Sequence, residues 1–330
     1  MARVVRFHKT GGPEVLQIDD IDVGAPGAGE LLLRVHALGL NRAESMFRSG
    51  TYLETPVLPA KLGYEAAGTI EAIGEGVTGF AIGDKVSVVP SFSMTQYGLY
   101  GDHAIVPAMA TVKHPANLSW EQAAASWMQY MTAYGALVDV MRLATGDAVV
   151  ITAASSSVGL AAIQIVNAAG AISIATTRTS AKRNALLSLG AQHVIATEEQ
   201  DLVAEVKRIT GGGGARIVFD PVAGPGVATL AQAVSYCGTI ILYGALAMSE
   251  TPFPLFAAIG NGLTVRGYSL FEVVSNPARL AAGKQYVVDG LASGKLKPII
   301  AKTFPFEKIV DAHRYLESNE QVGKVVVTVD

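Results

Sequence analysis

Residues 149–159 read Val-Val-Ile-Thr-Ala-Ala-Ser-Ser-Ser-Val-Gly: a strand, a turn of small residues, and the start of a helix. Small side chains let the backbone approach a pyrophosphate, and the free amides of a helix N-terminus meet its charge. Glycines usually stand where this chain has Ser156 and Ser157. Serine is still compact, and its hydroxyl adds a donor for phosphate. The bland reading is an ordinary strand-to-helix turn. The place of the turn, after the first strand of an alternating series, favours a nucleotide. Ser155, Ser156, Ser157, Val158 and Gly159 are therefore candidate pyrophosphate contacts.

The next strand, 172–176, decides which dinucleotide is expected. An NAD site usually ends this strand with Asp or Glu, which holds the ribose 2′-hydroxyl. Here the end runs Ala175-Thr176-Thr177-Arg178-Thr179-Ser180-Ala181-Lys182-Arg183 and carries no acid. Hydroxyls and cations suit a 2′-phosphate. A solvated helix start is the alternative, but Lys182 and Arg183 in a first turn oppose the helix dipole, and a bound anion relieves that conflict. Thr177, Arg178, Lys182 and Arg183 are thus candidate contacts, with NADPH expected over NADH. The glycines at 211–214 look like a phosphate loop, yet a strand follows them, so a flexible turn is expected.

Metal chemistry has little to work with. His8, His36, His103, His114, His193 and His313 show no ligand spacing, and the single Cys237 rules out a four-thiolate site. One cysteine also forms no internal disulfide. With no long apolar signal core at the N-terminus, this leads us to expect a reducing, cytoplasmic setting. A net charge of −3 gives no sign of a nucleic-acid surface. Half of the 330 residues are hydrophobic and 16% are charged, so two well-buried domains are expected. The run 148–177 lacks any charge, but its serines and glycines break it into strand, helix and strand, which argues against a membrane span.

The elements that must position these residues fall into three stretches. The first is β-rich, with strands expected at 3–7, 31–37, 69–73 and 85–89 between Gly and Pro turns, as in a compact irregular barrel. Ser119 followed by Gln122 has the spacing of a capping box and opens a helix through 128. A second helix is expected over 131–142. Strands at 148–152, 172–176, 193–195, 216–220 and 238–243 then alternate with helices at 158–169, 180–189, 201–210 and 227–234. That alternation is the mark of a parallel sheet covered on both faces. After it come a strand at 264–267, a helix opened by Asn276-Pro277, a helix over 306–316 and a strand at 324–329.

Several short motifs occur in a fixed order: Asn41-Arg42-Ala43, Arg48-Ser49-Gly50-Thr51-Tyr52, Gly63-Tyr64-Glu65-Ala66-Ala67-Gly68, Thr132-Ala133-Tyr134, Gly159 with Gln164, and Gly323-Lys324-Val325. Together they resemble the zinc-free quinone oxidoreductase branch, which includes zeta-crystallin, of the medium-chain dehydrogenase/reductase superfamily. In the zinc enzymes of that superfamily a histidine ligand stands where Tyr64 stands here, and the Gly39-Leu40-Asn41-Arg42 stretch lacks the earlier cysteine ligand. The resemblance implies an α/β fold: a Rossmann doubly wound sheet at 121–264, inserted in a GroES-like catalytic domain at 1–120 and 265–330. It implies NADPH, a homodimer and an active site between the domains. Asn41 and Tyr134 would lie near the nicotinamide and its ribose, Lys182 at the adenosine phosphate, and Tyr243, Gly244, Ala245 and Leu246 along the nicotinamide. Lys324 belongs to the same implied cofactor set. Tyr64, Tyr52 and Asn41 would form the catalytic set. Related reductases also carry a tyrosine after the third Rossmann strand, where this chain has Ile195-Ala196-Thr197-Glu198 and none.

The activity this implies is reduction of a conjugated acceptor. Hydride addition to an isolated carbonyl puts charge on one oxygen, which zinc normally stabilises. A quinone or enone spreads that charge, and hydrogen-bond donors suffice. Expected, then, is an NADPH-dependent quinone reductase without zinc. Alternatives are an enone or alkenal double-bond reductase, or a non-catalytic NADPH-binding protein, for whose RNA-binding form the low charge is a poor match.

Overall fold

The computed structural model describes residues 1–329 and divides into two compact units, Met1–Met128 with Lys284–Asp330, and Gln129–Gly283.

The first unit is built on a seven-stranded sheet whose path runs Ile300–Pro305, Lys324–Thr328, Glu30–Gly39, Glu65–Ile73, Lys85–Val88 and Thr111–Lys113, with His103–Pro107 also paired to Glu30–Gly39. A three-stranded sheet of Leu16–Ile21, Ala2–Phe7 and Ala60–Lys61 accompanies it. Period-2 alternation sends Leu31, Leu33, Val35 and Ala37 inward along one strand, and all four are buried. The pairing of Lys324–Thr328 with Glu30–Gly39 brings the C-terminal residues into the sheet begun near the N-terminus.

The capping box at Ser119 is present: Gln122 N donates to Ser119 Oγ at 3.2 Å, and Ser119 N to Gln122 Oε1 at 3.0 Å. The helix it opens is shorter than expected, Trp120–Ala124, and a new helix starts at Trp127. The break has a physical cause. The Glu65 carboxylate accepts the N–H groups of Trp127 and Met128 at 2.6 and 2.8 Å, which satisfies a fresh helix N-terminus. Ala123 and Ala124 pack on Ala37, Ala67 and Val326, so residues 121–128 belong to the first unit and not to the nucleotide-type domain expected over 121–264.

The second unit holds a six-stranded parallel sheet of Ala148–Ile151, Ile172–Thr177, His193–Ala196, Ala215–Asp220, Val234–Leu242 and Thr264–Gly267. Counted along the chain, these strands lie in the order 3-2-1-4-5-6, the doubly wound dinucleotide arrangement. Val150, Ile174, Val218 and Ile240 fill its core with no exposure. The sixth strand pairs in register with the fifth, Thr239 opposite Thr264. That pairing carries the unit past the boundary expected at 264, to Gly283. Residues 211–214 form the expected turn, and the third helix is capped by Asp201, whose carboxylate accepts Ala204 N at 3.0 Å. Among the described residues no helix is long and apolar enough to cross a membrane.

Candidate active site

In the second unit the turn after the first strand ends in the Ser157–Ala168 helix. Ser156 is its N-cap, its hydroxyl accepting Gly159 N at 3.1 Å. The departure from glycine at this position therefore serves helix capping. Gly159 is different. A Cβ there would lie 2.6 Å from Ala154 Cα and 2.7 Å from its carbonyl oxygen, so only glycine lets the helix pack this close to the strand end. Ser155, Ser156, Ser157 and Val158 are all partly exposed at the turn.

Lys182 reaches this turn, its Nζ donating to Ser155 Oγ at 3.3 Å. Thr177, at the end of the second strand, is partly exposed and Arg178 exposed. Arg183 is turned elsewhere. Its guanidinium donates to Val194 O at 2.9 Å and to Gln200 Oε1, so it fastens the third strand and is not aimed at the candidate phosphate region.

On the other side of the sheet centre, Tyr243 stacks on Phe219 with ring centroids 4.0 Å apart, and its hydroxyl is buried. Burial raises that hydroxyl well above its ordinary value, and Asp220 adds to the effect. Asp220, which the sequence reading did not single out, is fully enclosed. It accepts the Thr152 hydroxyl and Ala223 N at 2.7 Å. It thereby fixes the 221–223 turn, against which Leu246 N bonds Pro221 O at 3.0 Å. A Cβ at Gly244 would meet Pro221 O at 2.7 Å, so that turn too needs glycine. Gly244, Ala245 and Leu246 stay exposed. Tyr134 opens a π-helical segment, Tyr134–Val140, and is largely buried. Small residues and amides at the turn, with Lys182 beside it and no acid at the end of the second strand, fit a phosphorylated dinucleotide.

In the first unit Tyr64 is completely buried, its ring 6.4 Å from Tyr52 and 5.8 Å from Phe92, which in turn lies 5.7 Å from Tyr97. The Tyr64 and Tyr52 side chains influence each other electrostatically. Burial pushes both hydroxyls above the ordinary phenol value. Their mutual interaction then acts in opposite directions, raising Tyr64 further and bringing Tyr52 back down. Tyr52 is partly exposed, so it is the member of the pair with an outward path for its proton.

Asn41, Glu44, Glu65 and Lys324 form a buried polar network. Lys324 Nζ donates to Asn41 Oδ1 at 2.6 Å and pairs with Glu65, both side chains without exposure. Asn41 Nδ2 faces Gly39 O, Glu44 Oε1 and Glu65 Oε2 at 3.0–3.1 Å. Glu44 also accepts Tyr64 N at 3.0 Å. Burial pushes the Glu44 carboxyl up to about 7, against the pull of these donors and Lys324. The expected contact of Lys324 with the cofactor gives way to this enclosed ion pair, which leaves its ammonium no open face. Asn41 caps the Arg42–Ser49 helix and keeps only 7% exposure. Asn41 followed by Glu44 has the capping-box spacing, and that signal reveals both the helix and Glu44. Among the described residues no group of three or more His, Cys, Asp or Glu is arranged to hold a metal ion.

Comparison with known proteins covers the whole chain. Residues 27–116 match the alcohol dehydrogenase GroES-like domain, and residues 157–283 the family described as zinc-binding dehydrogenase. The human quinone oxidoreductase is 32% identical over 332 aligned residues, covering 99% of this chain and 98% of that protein. A Burkholderia 2-haloacrylate reductase is 29% identical, covering 99% and 98%. The crystal structure of Escherichia coli quinone oxidoreductase complexed with NADPH superposes with a TM-score of 0.91 at 31% identity, covering 99% of this chain and all of that one.

Proposed function

The chain belongs to the quinone oxidoreductase branch of the medium-chain dehydrogenase/reductase superfamily, and we propose on that footing that it is an NADPH-dependent reductase of quinones. The observation that carries the reading is the Tyr52–Tyr64 pair: aromatic donors stand in a dehydrogenase frame whose described residues offer no cluster of metal ligands. NADPH, when bound, supplies the hydride. The amides of the Ser157–Ala168 helix would hold the pyrophosphate, Lys182 the 2′-phosphate, and Tyr134 and residues 243–246 the nicotinamide end. Tyr52 and Tyr97, backed by the buried rings of Tyr64 and Phe92, offer flat apolar surface to a planar acceptor. Tyr52 presents its hydroxyl proton to the acceptor oxygen that gains charge, with Tyr64 setting its orientation and acidity. Glu44 and Asn41 hold the Tyr64 backbone in place.

A second reading, reduction of an activated carbon–carbon double bond, is favoured by the likeness to the 2-haloacrylate reductase. The electron demand is the same, and the shape of the acceptor decides. Steady-state NADPH oxidation against simple quinones, enones and haloacrylates tests both. Turnover of quinones that survives treatment with a chelator is expected. Tight NADPH binding with no turnover of any conjugated acceptor would overturn the assignment.

We further propose a homodimer formed at the free edge of the Thr264–Gly267 strand. Leu255, Phe256 and Ile259 of the neighbouring Leu255–Asn261 helix are 52%, 89% and 73% exposed, an apolar surface beside the outer edge of that strand. The single Cys237, exposed and unbridged, fits work in a reducing, cytoplasmic compartment.

A further inference from the structure

We propose that Glu199 sets how sharply this chain distinguishes NADPH from NADH. The inference rests on the cofactor reading above and concerns a residue outside the fingerprint turn and the second strand.

Pairing between the second and third strands continues past their ends. Thr197 N donates to Thr177 O and Glu198 N to Arg178 O, both at 2.9 Å. This lays residues 197–199 alongside 177–180. Glu199 Oε1 then accepts Ser180 N at 2.8 Å. The second strand lacks an acid at its end, and the fold brings one across from the third. Arg183 offers this carboxylate no direct ion pair, because its guanidinium is taken by Val194 O and Gln200. Lys182 points back to Ser155.

A carboxylate at this place does two things. It can accept the ribose 2′-hydroxyl of NADH, the part an acid at the end of the second strand usually plays. It also occupies the amide of Ser180, a donor well suited to a 2′-phosphate, and it repels that phosphate. NADPH must displace Glu199 from Ser180 and then tolerate its charge. Lys182 and Arg178 favour the phosphate, and Glu199 opposes it. The net preference for NADPH is therefore smaller than the cations alone would set.

The test is direct binding to the full-length chain, followed by calorimetry or fluorescence, with NADPH, NADH and adenosine 2′,5′-bisphosphate as probes. Glu199→Gln keeps the shape and removes the charge. It should tighten NADPH and the bisphosphate about tenfold, the size expected for a nearby like charge partly screened by water. NADH should be unchanged or a few-fold weaker, and the gain should shrink as salt is raised. Glu199→Ala should shift the two phosphorylated ligands in the same direction. If the ratio of NADPH to NADH affinity is the same in the unmodified chain and both variants, Glu199 has no part in selection, while the cofactor reading stands. If the unmodified chain binds neither NADPH nor the bisphosphate, that reading and this inference both fall.

Discussion

Replacing Tyr52 by Phe should lower kcat for quinone reduction by ~10²-fold, the low end of what a positioned proton donor contributes. Replacing Tyr64 by Phe should cost only about fivefold. The difference follows from where the two hydroxyls lie. Tyr64 is fully enclosed, and its interaction with Tyr52 moderates the rise that burial imposes on Tyr52. A neutral polar interaction of this kind is worth at most about 1 kcal/mol, the net value of a hydrogen bond, and about 1.4 kcal/mol corresponds to tenfold in rate. Tyr64 acts through Tyr52, so the double variant should match Tyr52→Phe within about twofold, because coupled residues are not additive. The assay is steady-state NADPH oxidation with a quinone, with NADPH affinity measured separately and expected to stay constant. Its pH profile is a second check. Tyr52 is raised above the ordinary phenol value by burial first, so it keeps its proton as pH rises through 10, and no basic limb should arise from it below that. Tyr64→Phe removes the hydroxyl that lowers Tyr52 and should move any such limb higher. A larger loss from Tyr64→Phe than from Tyr52→Phe, or losses that multiply in the double variant, would refute the ordering.

Lys182→Ala should weaken NADPH by about 1.5–3 kcal/mol, the range for a charge-assisted hydrogen bond, and leave NADH nearly unchanged in the same titrations. Lys324→Met leaves Glu65 charged and enclosed, which costs about 3–5 kcal/mol. The first unit should then melt roughly 10 °C lower by calorimetry, with part of the loss recovered in the Lys324→Met, Glu65→Gln double variant. Glu44 has a folded pKa of about 7, raised above its ordinary 4.5 by burial, so its stabilising contribution is fully present below pH 4.5 and is lost as pH rises through 7. Glu44→Gln should therefore flatten the fall in unfolding midpoint between about pH 5 and about pH 8.

The second unit was largely legible because its signals are local. Strand and helix periods alternate from 148 onward, Gly and Asp mark the helix ends, and the strands at 172–177, 193–196 and 264–267 lie within a residue of expectation. The capping box at Ser119 is equally local. Elements that escaped notice lack such signals. Leu16–Ile21 carries two aspartates and a mostly open face, and it becomes a strand through its pairing with Ala2–Phe7. Leu255–Asn261 has no buried residue and no side-chain cap. Arg42–Ser49 did have a signal, the Asn41–Glu44 spacing, which a reading of Asn41 as a ligand-facing residue passes over.

Candidate site residues divide the same way. Gly159 and Lys182 could be found from position because the turn and the second strand are contiguous in sequence. Glu199 and Lys324 could not. Glu199 reaches Ser180 only because two parallel strands keep pairing beyond their ends. Lys324 meets Asn41 across 283 positions, through a sheet assembled from both parts of the chain. A motif such as Gly323-Lys324-Val325 names a cation but not the side of the sheet it faces. Once the strand register turns that lysine inward, its charge needs buried partners, because an unpaired ammonium in the core is far costlier than one in water. Glu65 and Asn41 supply them. Glu65 in turn holds the amides of Trp127 and Met128, and Asn41 pairs with Glu44, which holds the backbone of Tyr64. The residue that the sequence placed at the cofactor thus anchors the tyrosine pair from behind, and the change of role follows from a single fact of register.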